Sequence, residues 1–486
     1  MSPKLGTSRL RTLLRRGLAP ILGALDRRVE RVRSNETGLL VAAAARGLAA
    51  SGDWWVLPPT LESEPRRTAR MGFVGNIANN AYNFVRCLRR LGLEAELVVE
   101  DGGFDTFLMN RPAWEDVDLE CGSLEEGAAV EATWKQPAWV RRVSFDPELQ
   151  MRYQGRLSAA DEVRELYRAA FGRDLGADRA LALAQFMGHW PLLLAMRRYD
   201  TVQLSGAAIS LGPFSPRPVV VFPTGSDLFL SPFEEDLFGM LMRAGFRSAR
   251  SLLLCETNYA RYLDRLQTSG RRAFAPMMVD TDTYTPGSAE ELRHRWGGRG
   301  RFAVQVCRQD WHWKGNDRLL RGFARALRHG LRDWKLVLLG WGADLERSRE
   351  LVRSLGIESE VVFEPLCSKP RLRLRQRAAD LVVDQMVIEG YGTSVLESMA
   401  AARPVMMRPV PPAAEPWFPE PPPFLAASDE EEVFRWFVRP DLDRVLAEVG
   451  PRSRKWVETV HAYRAVAPTY LAGHRHAAGR DEAAAG

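Results

Sequence analysis

Apolar and polar positions alternate along this chain in two ways, and the alternation predicts its elements. A buried apolar run over 69–75 ends at Gly75-Asn76. A helical pattern over 80–91, closed by Gly92, and a second apolar run over 94–99 follow. Strand, glycine turn, helix and strand open a doubly wound α/β domain. Further strands are expected at 200–204, 218–222 and 251–254, with helices at 161–170, 178–197, 231–244 and 258–267. Residues 101–160 are irregular and rich in Trp, Gly and acids, and read as a long insertion or lid. The proline-bounded segment 276–286 reads as a hinge. A second alternating set then predicts strands at 302–307, 335–340, 360–364, 379–383 and 404–407, with helices at 316–329, 344–355, 370–378 and 394–401.

The two ends differ from this middle. Residues 9–33 place Leu10, Leu13, Leu14, Leu18, Ile21, Leu22, Leu25, Val29 and Val32 at helical spacing with arginines opposite, interrupted by Pro20. Such a helix suits an anionic membrane surface, or packs on the protein body. The proline-dense stretch 408–424 reads as an ordered surface loop. Ser428 and Glu431 fit a capping box that starts a helical C-terminal segment. The Ala/Gly-rich end from about Gly473 has the composition of a disordered tail. The expected divisions are an extension over 1–66, a first α/β domain over 67–278, a second over 285–425, and a helical segment with tail over 426–486.

Charge and cysteine content narrow the function. The net charge is +6, but residues 1–33 hold nine Lys/Arg against two acids, a net of +7, which leaves −1 for the rest. A globally basic nucleic-acid binder is therefore not expected. Five scattered cysteines without CxxC spacing argue against a disulfide framework or zinc site and fit a reducing cytoplasm. No apolar run approaches the ~18 residues of a membrane span, and no secretory leader pattern opens the chain.

Ligands of such sheets sit at the carboxyl ends of the strands. Three loops of the second domain qualify. In 307–315, Arg308 ends a strand and Lys314 precedes a helix; a guanidinium and an ammonium there would clamp a pyrophosphate and neutralise a leaving charge. Equally, both could be solvated loop cations. In 339–342, Gly340 permits close backbone approach. In 389–397, Glu389 and Glu397 are separated by seven residues and bracket Gly390, Tyr391, Gly392 and Thr393. That loop would bring backbone N–H groups to a phosphate or sugar at a helix N-terminus. Glu397 also fits a capping box with Ser394, and Glu389 reads as well as an exposed acid. Asp-x-Asp triplets at 116–118, 280–282 and 441–443 carry little weight as metal motifs.

Arg308, Lys314-Gly315, DRLLRGFA (317–324), VLLGWG (337–342), Ala379-Asp380 and EGYGTSVLESMAAARPV (389–405) resemble the C-terminal half of retaining glycosyltransferases of the GT-B fold, family 4. The hinge P-x-x-V-D and Pro223-Thr224-Gly225-Ser226-Asp227 resemble that family too, over roughly 69–425. The resemblance implies two Rossmann-like domains facing across a cleft. Arg308 and Lys314 would hold the diphosphate of a nucleotide-sugar. Glu397 would bond the ribose, and Glu389 the transferred sugar, with Gly390, Tyr391 and Gly392 around sugar and phosphate. Gly75 and Asn76 would face the donor, and Leu366 and Cys367 would lie near the base. The chain departs from the family at Ser205-Gly206, where a sugar-touching histidine is usual, and at Thr224 and Arg403. His189 is not assigned to the site.

The expectation is a cytoplasmic or membrane-peripheral, metal-independent glycosyltransferase without a separate cofactor. Its partners would be a nucleotide-sugar donor, a glycan, glycolipid or small-molecule acceptor, and an anionic membrane through 9–33. A nucleotide-sugar epimerase or a catalytically degenerate binding protein on the same fold are the alternatives.

Overall fold

Short runs of Val, Leu and Ala flanked by glycine or charge have no helical stripe to bury, so they pair as strands covered on both faces. The computed structural model describes residues 54–55, 69–104, 108–123, 126–127, 133–410, 418 and 420–479. The amphipathic reading of 9–33 lies outside them. Eight parallel strands form the first sheet: β1 (Trp54–Trp55), β2 (Met71–Val74), β3 (Ala95–Asp101), β4 (Val140–Ser144), β5 (Thr201–Leu204), β6 (Val219–Val221), β7 (Ala249–Leu254) and β8 (Arg271–Phe274). Their order is β1-β8-β7-β6-β5-β2-β3-β4. The chain moves outward from β2 to β4, then returns to β5 on the other side of β2. Val74 thus stands between Val98 and Leu204, and the strand order reverses there.

The second sheet repeats the scheme with six parallel strands: β9 (Arg301–Gln305), β10 (Trp334–Leu339), β11 (Val361–Glu364), β12 (Leu381–Val383), β13 (Val405–Met407) and β14 (Leu425–Ala426). Their order is β11-β10-β9-β12-β13-β14, so the reversal lies between β9 and β12. Helix α1 (Asn80–Arg90) follows β2, α2 (Asn316–Arg328) follows β9, α3 (Lys369–Ala378) precedes β12 and α4 (Thr393–Ala400) follows it. Leu319, Leu320 and Phe323 of α2 are fully buried against the second sheet. Two such doubly wound domains constitute the GT-B architecture.

The C-terminal helices are α5 (Glu430–Phe437), α6 (Leu442–Val460) and α7 (Tyr463–Ala477). Helix α5 packs on α2, where Gly322 admits Val433; a Cβ there would lie 2.6 Å from the Val433 Cβ. Helix α7 returns to the first sheet. Ser251 donates to the Gly473 carbonyl at 2.7 Å, and buried His474 meets the Thr201 hydroxyl at 2.7 Å. The segment after β8 is held from the same side: the Arg454 guanidinium donates to the Thr281 carbonyl at 3.1 Å and to the Ala400 carbonyl at 2.6 Å.

Several expectations are corrected. The expected tail from Gly473 is helical to Ala477, because His474 and the close contact of Gly473 with Leu253 anchor it. Strand β4 lies within the stretch expected to be an insertion or lid, and β8 lies in a stretch to which the pattern assigns no element. Both are strands at or near the sheet margins, where Arg142 reaches Asp101 at 2.5 Å and Arg272 reaches Asp264 at 2.5 Å. The helix expected over 178–197 is broken. Gly188 presses on the Phe145 ring, and Pro191 begins a new helix, Trp190–Met196. The C-terminal cap is shifted by one residue: Asp429 accepts the Glu432 N–H at 2.8 Å, and Glu432 accepts the Ser428 N–H at 2.7 Å. Glu431 instead pairs with Arg325 and Arg435.

Candidate functional site

The reversal between β9 and β12 makes a crevice beyond their carboxyl ends, and the loops leaving both strands fill it. Buried Asn316 fixes the first loop. Its amide donates to Gln305 at 2.9 Å and to the Arg308 carbonyl at 3.1 Å, and it accepts the Asp310 N–H at 2.7 Å. Arg308 is 40% exposed and rests on Asp310 at 2.9 Å. Lys314 ends a short helical turn, and Gly315 (φ 68°) turns the chain into α2. The Lys314 ammonium donates to Gln385 at 2.6 Å, and the Gln385 amide donates to the Gly390 carbonyl at 3.1 Å. One hydrogen-bonded chain therefore links the cationic loop to the glycine loop. The 339–342 loop closes on the 307–315 loop, because the Gln309 N–H donates to the Trp341 carbonyl at 2.8 Å and Gly342 (φ 122°) lies against Gln309. The Gly340 N–H donates to the Glu364 carbonyl at 2.7 Å.

Asp384 sits beneath the glycine loop. A Cβ on Gly392 would lie 3.3 Å from its carboxylate. Burial pushes the Asp384 carboxyl up; Lys314 opposes this most, and Lys369 and Arg308 add to the opposition. Two cations of the 307–315 loop and one at the start of α3 are thus near one buried acid. Glu389 bonds Arg408 at 3.1 Å. Gly392 stands at the N-cap of α4, and the Thr393 hydroxyl donates to Asn80 of the first domain at 3.0 Å. The Tyr391 ring is buried against Phe418, Trp456 and His461. Its N–H donates to Glu256, just beyond β7, at 2.9 Å. Burial pushes the Glu256 carboxyl up to about 7, against the pull of that N–H.

Glu397 lies one turn into α4, is buried, and accepts from the Lys369 ammonium at 2.7 and 2.8 Å, with the buried Tyr284 hydroxyl also within hydrogen-bonding reach. It caps nothing; the capping-box reading with Ser394 is not what the helix shows. Burial lowers the Lys369 ammonium, but Glu397 and Glu115 outweigh this and hold it above the ordinary lysine value. Glu115 comes from a first-domain segment that crosses to the second domain. There Glu120–Cys121 pairs antiparallel with Leu366–Cys367. The Leu119 N–H donates to the Ser368 hydroxyl and the Ser368 N–H to the Leu119 carbonyl, both at 3.0 Å. Glu120 reaches fully buried Arg375 at 2.8 Å.

The expected residues therefore fall into two groups. Arg308, Lys314, Gly340, Glu389, Gly390, Tyr391, Gly392, Thr393 and Glu397 all belong to loops, or to the helix start, around the β9/β12 crevice. Gly75 ends β2 at the first domain's own reversal point, where a Cβ would come within 2.0 Å of the Ser205 carbonyl. The structure gives Asn76, Leu366 and Cys367 partners within the fold. The Asn76 side chain turns inward. It is fully buried, donates to Asn79 and the Asn110 carbonyl at 2.6 Å, and accepts the Tyr82 N–H at 2.9 Å. The Leu366 and Cys367 side chains are buried, with Leu366 packed on Trp114 and Cys121, and the backbone of both is paired by Glu120–Cys121. His189 is a buried first-domain residue bonded to Glu100 at 2.8 Å and stacked on Phe104. Gln385, Asp384, Glu256, Lys369 and Glu115 were missed. A polar pair placed directly after the apolar run 379–383 was the available signal for the first two.

The acidic triplets hold other partners. Asp116 accepts from Tyr82 and Trp134, Asp280 from Arg90, and Asp441 from Arg439 and Arg444. No helix among the described residues is long and apolar enough to cross a membrane.

Residues 293–416 match the family model described as glycosyl transferases group 1. Over 137 residues the chain is 34% identical to a D-inositol 3-phosphate glycosyltransferase of Thermobifida fusca, which covers 26% of this chain and 32% of that protein. Over 131 residues it is 30% identical to the putative glycosyltransferase EpsD of Bacillus subtilis, which covers 26% of this chain and 34% of that one. The chain thus matches about a third of these curated relatives' length. Among solved structures, Anabaena HepE in complex with UDP and glucose superposes with a TM-score of 0.57 at 11% identity, over 83% of this chain and 98% of that one. A sucrose-phosphate synthase from Thermosynechococcus elongatus superposes with a TM-score of 0.55 at 13% identity, over the same shares. These likenesses show the GT-B fold, and the family match covers the loops of the second-domain crevice.

Proposed function

We propose that this chain is a glycosyltransferase that moves a sugar from a nucleoside-diphosphate donor, held mainly on the second domain, to an acceptor entering from the first domain. The observation that carries this reading is the linkage of Lys314, on the loop that also carries Arg308, through Gln385 to the Gly390–Thr393 turn at the start of α4. Two cations and the positive end of a helix then converge where a diphosphate leaves. The Anabaena HepE structure holds UDP and glucose on the same fold, which agrees with this donor class. Family 4 membership and retention of configuration follow the resemblance of the Glu389 to Glu397 motif. Arg308, Lys314 and the helix N-terminus would supply the charge that a divalent cation supplies elsewhere, so the reading is metal-independent. A glycan, glycolipid or small-molecule acceptor, and a peripheral membrane location through 9–33, remain part of the proposal.

A second reading, a nucleotide-sugar-binding protein without turnover, is favoured by the Glu256 carboxyl on the Tyr391 N–H, which a ligand in the loop would have to displace. Nucleoside diphosphate release from UDP-, GDP- and ADP-sugars, with an acceptor panel, separates the two. Turnover is expected, and Lys314→Ala is expected to reduce it on the order of 10²-fold with the fold intact. Binding without release supports the second reading, and an isomerised sugar with donor alone points to an epimerase.

A further inference from the structure

Glu115 remains chemically unexplained. It is 5% exposed, and neither carboxyl oxygen has a hydrogen-bond donor in good geometry among the described residues. The Asn83 side chain is close enough to favour its charged form. Burial nonetheless pushes the carboxyl up to about 7, while Lys369 pulls it down and Glu397 pushes it further up. Buried acids usually have partners, so a carboxyl without one, beside a proposed binding residue, is poised for a ligand.

The neighbourhood defines that ligand. Glu115 lies in the helix Ala113–Asp116 of the crossing first-domain segment, whereas Glu397 lies in α4 of the second domain. Lys369 interacts with both, and Arg86 adds a second cation next to Glu115. Lys369 already pairs with Glu397 and Arg86 with Asp116, so both cations are engaged before a phosphate arrives. Its remaining demand is for hydroxyl donors to carboxylate lone pairs. Two carboxylates from opposite domains that share Lys369 as a neighbour suit a vicinal diol, each accepting one O–H. The ribose of a nucleotide is the diol closest in chain chemistry to a diphosphate held by Arg308 and Lys314.

We propose that Glu115 is a specificity-determining residue of the donor site, contributed by the first domain, that accepts one ribose hydroxyl while Glu397 accepts the other. The inference rests on the nucleotide-sugar reading above and adds to it: nucleoside recognition becomes shared between the domains. An unpaired acceptor is satisfied by the ribose and left unsatisfied by a deoxyribose, so discrimination is built in.

Isothermal titration with UDP, GDP and ADP finds the preferred base. The 2′-deoxy and 3′-deoxy forms of that diphosphate are then titrated into wild type, Glu115→Gln and Glu115→Ala. Wild type is expected to prefer the ribonucleotide about tenfold or more over at least one deoxy form. Both variants are expected to lose most of that preference, by weakening toward the ribonucleotide while holding the matching deoxy form nearly as wild type does. Wild type that does not distinguish ribose from deoxyribose overturns the inference without any variant. Variants that keep the full preference, or that weaken all forms equally, also overturn it and leave the donor reading standing. Wild type that binds none of the three diphosphates overturns the donor reading itself.

Discussion

Replacing Glu256 by glutamine removes an ionisation that the fold opposes. The carboxyl is buried just beyond β7 and accepts the Tyr391 N–H at 2.9 Å. Its folded value of about 7 lies well above the ordinary 4.5, because burial outweighs that hydrogen bond. In the unfolded chain the group loses its proton near 4.5. Between 4.5 and about 7 the folded state therefore binds more protons, and stability falls as pH rises. The gap corresponds to roughly 3 kcal/mol, reached above pH 7 and absent below about pH 4. Glutamine mimics the neutral acid and keeps an oxygen for the Tyr391 N–H. Glu256→Gln is thus expected to match wild type near pH 4 and to exceed it by about 3 kcal/mol at pH 8. Denaturant unfolding of both proteins from pH 4 to 8.5, followed by tryptophan fluorescence, measures the difference directly. A difference independent of pH, or a variant less stable than wild type at pH 8, refutes the reasoning.

Other outcomes follow from the same packing. Lys369→Met leaves Glu397 buried without its cation and is expected to destabilise the chain by about 3–5 kcal/mol, read as a lowered unfolding midpoint; a loss under about 1 kcal/mol would mean that the pair is solvated. Gly75→Ala adds a Cβ at φ 86°, 2.0 Å from the Ser205 carbonyl, and is expected to cost at least about 2 kcal/mol in thermal unfolding; an unchanged melting temperature would mean that the β2–β5 junction is loose.

The sequence disclosed the fold where apolar runs were uninterrupted and glycine marked the turns. Runs 71–74, 201–204, 336–339 and 381–383 have no charged residue, and each is a central strand. Arginine-bearing β4 and β8 were hidden because charge within a short run reads as loop, although a marginal strand keeps such side chains half in water. The last turn of α7, from Gly473, was hidden because composition cannot reveal that a glycine accommodates Leu253 or that a histidine bonds Thr201 across 273 residues. At the site, Arg308, Lys314 and the Glu389–Glu397 loop were legible because spacing alone places them on loops at strand ends. Glu256, Lys369 and Glu115 were not, because their meaning comes from the first domain pressing on the second. The partners of Asn76, Leu366 and Cys367 were hidden for the same reason: the crossing segment 108–121 supplies them, and no local pattern announces it.

Diphosphate recognition by Arg308 and Lys314 at the β9/β12 crevice underlies the proposed transfer. Titrating wild type and an Arg308→Ala/Lys314→Ala variant with a nucleoside, its monophosphate and its diphosphate isolates that claim. Wild type is expected to bind the diphosphate about 10²-fold more tightly than the nucleoside, and the variant to lose most of this advantage while binding the nucleoside as before. Equal affinity of wild type for nucleoside and diphosphate, or an advantage undiminished in the variant, would contradict it.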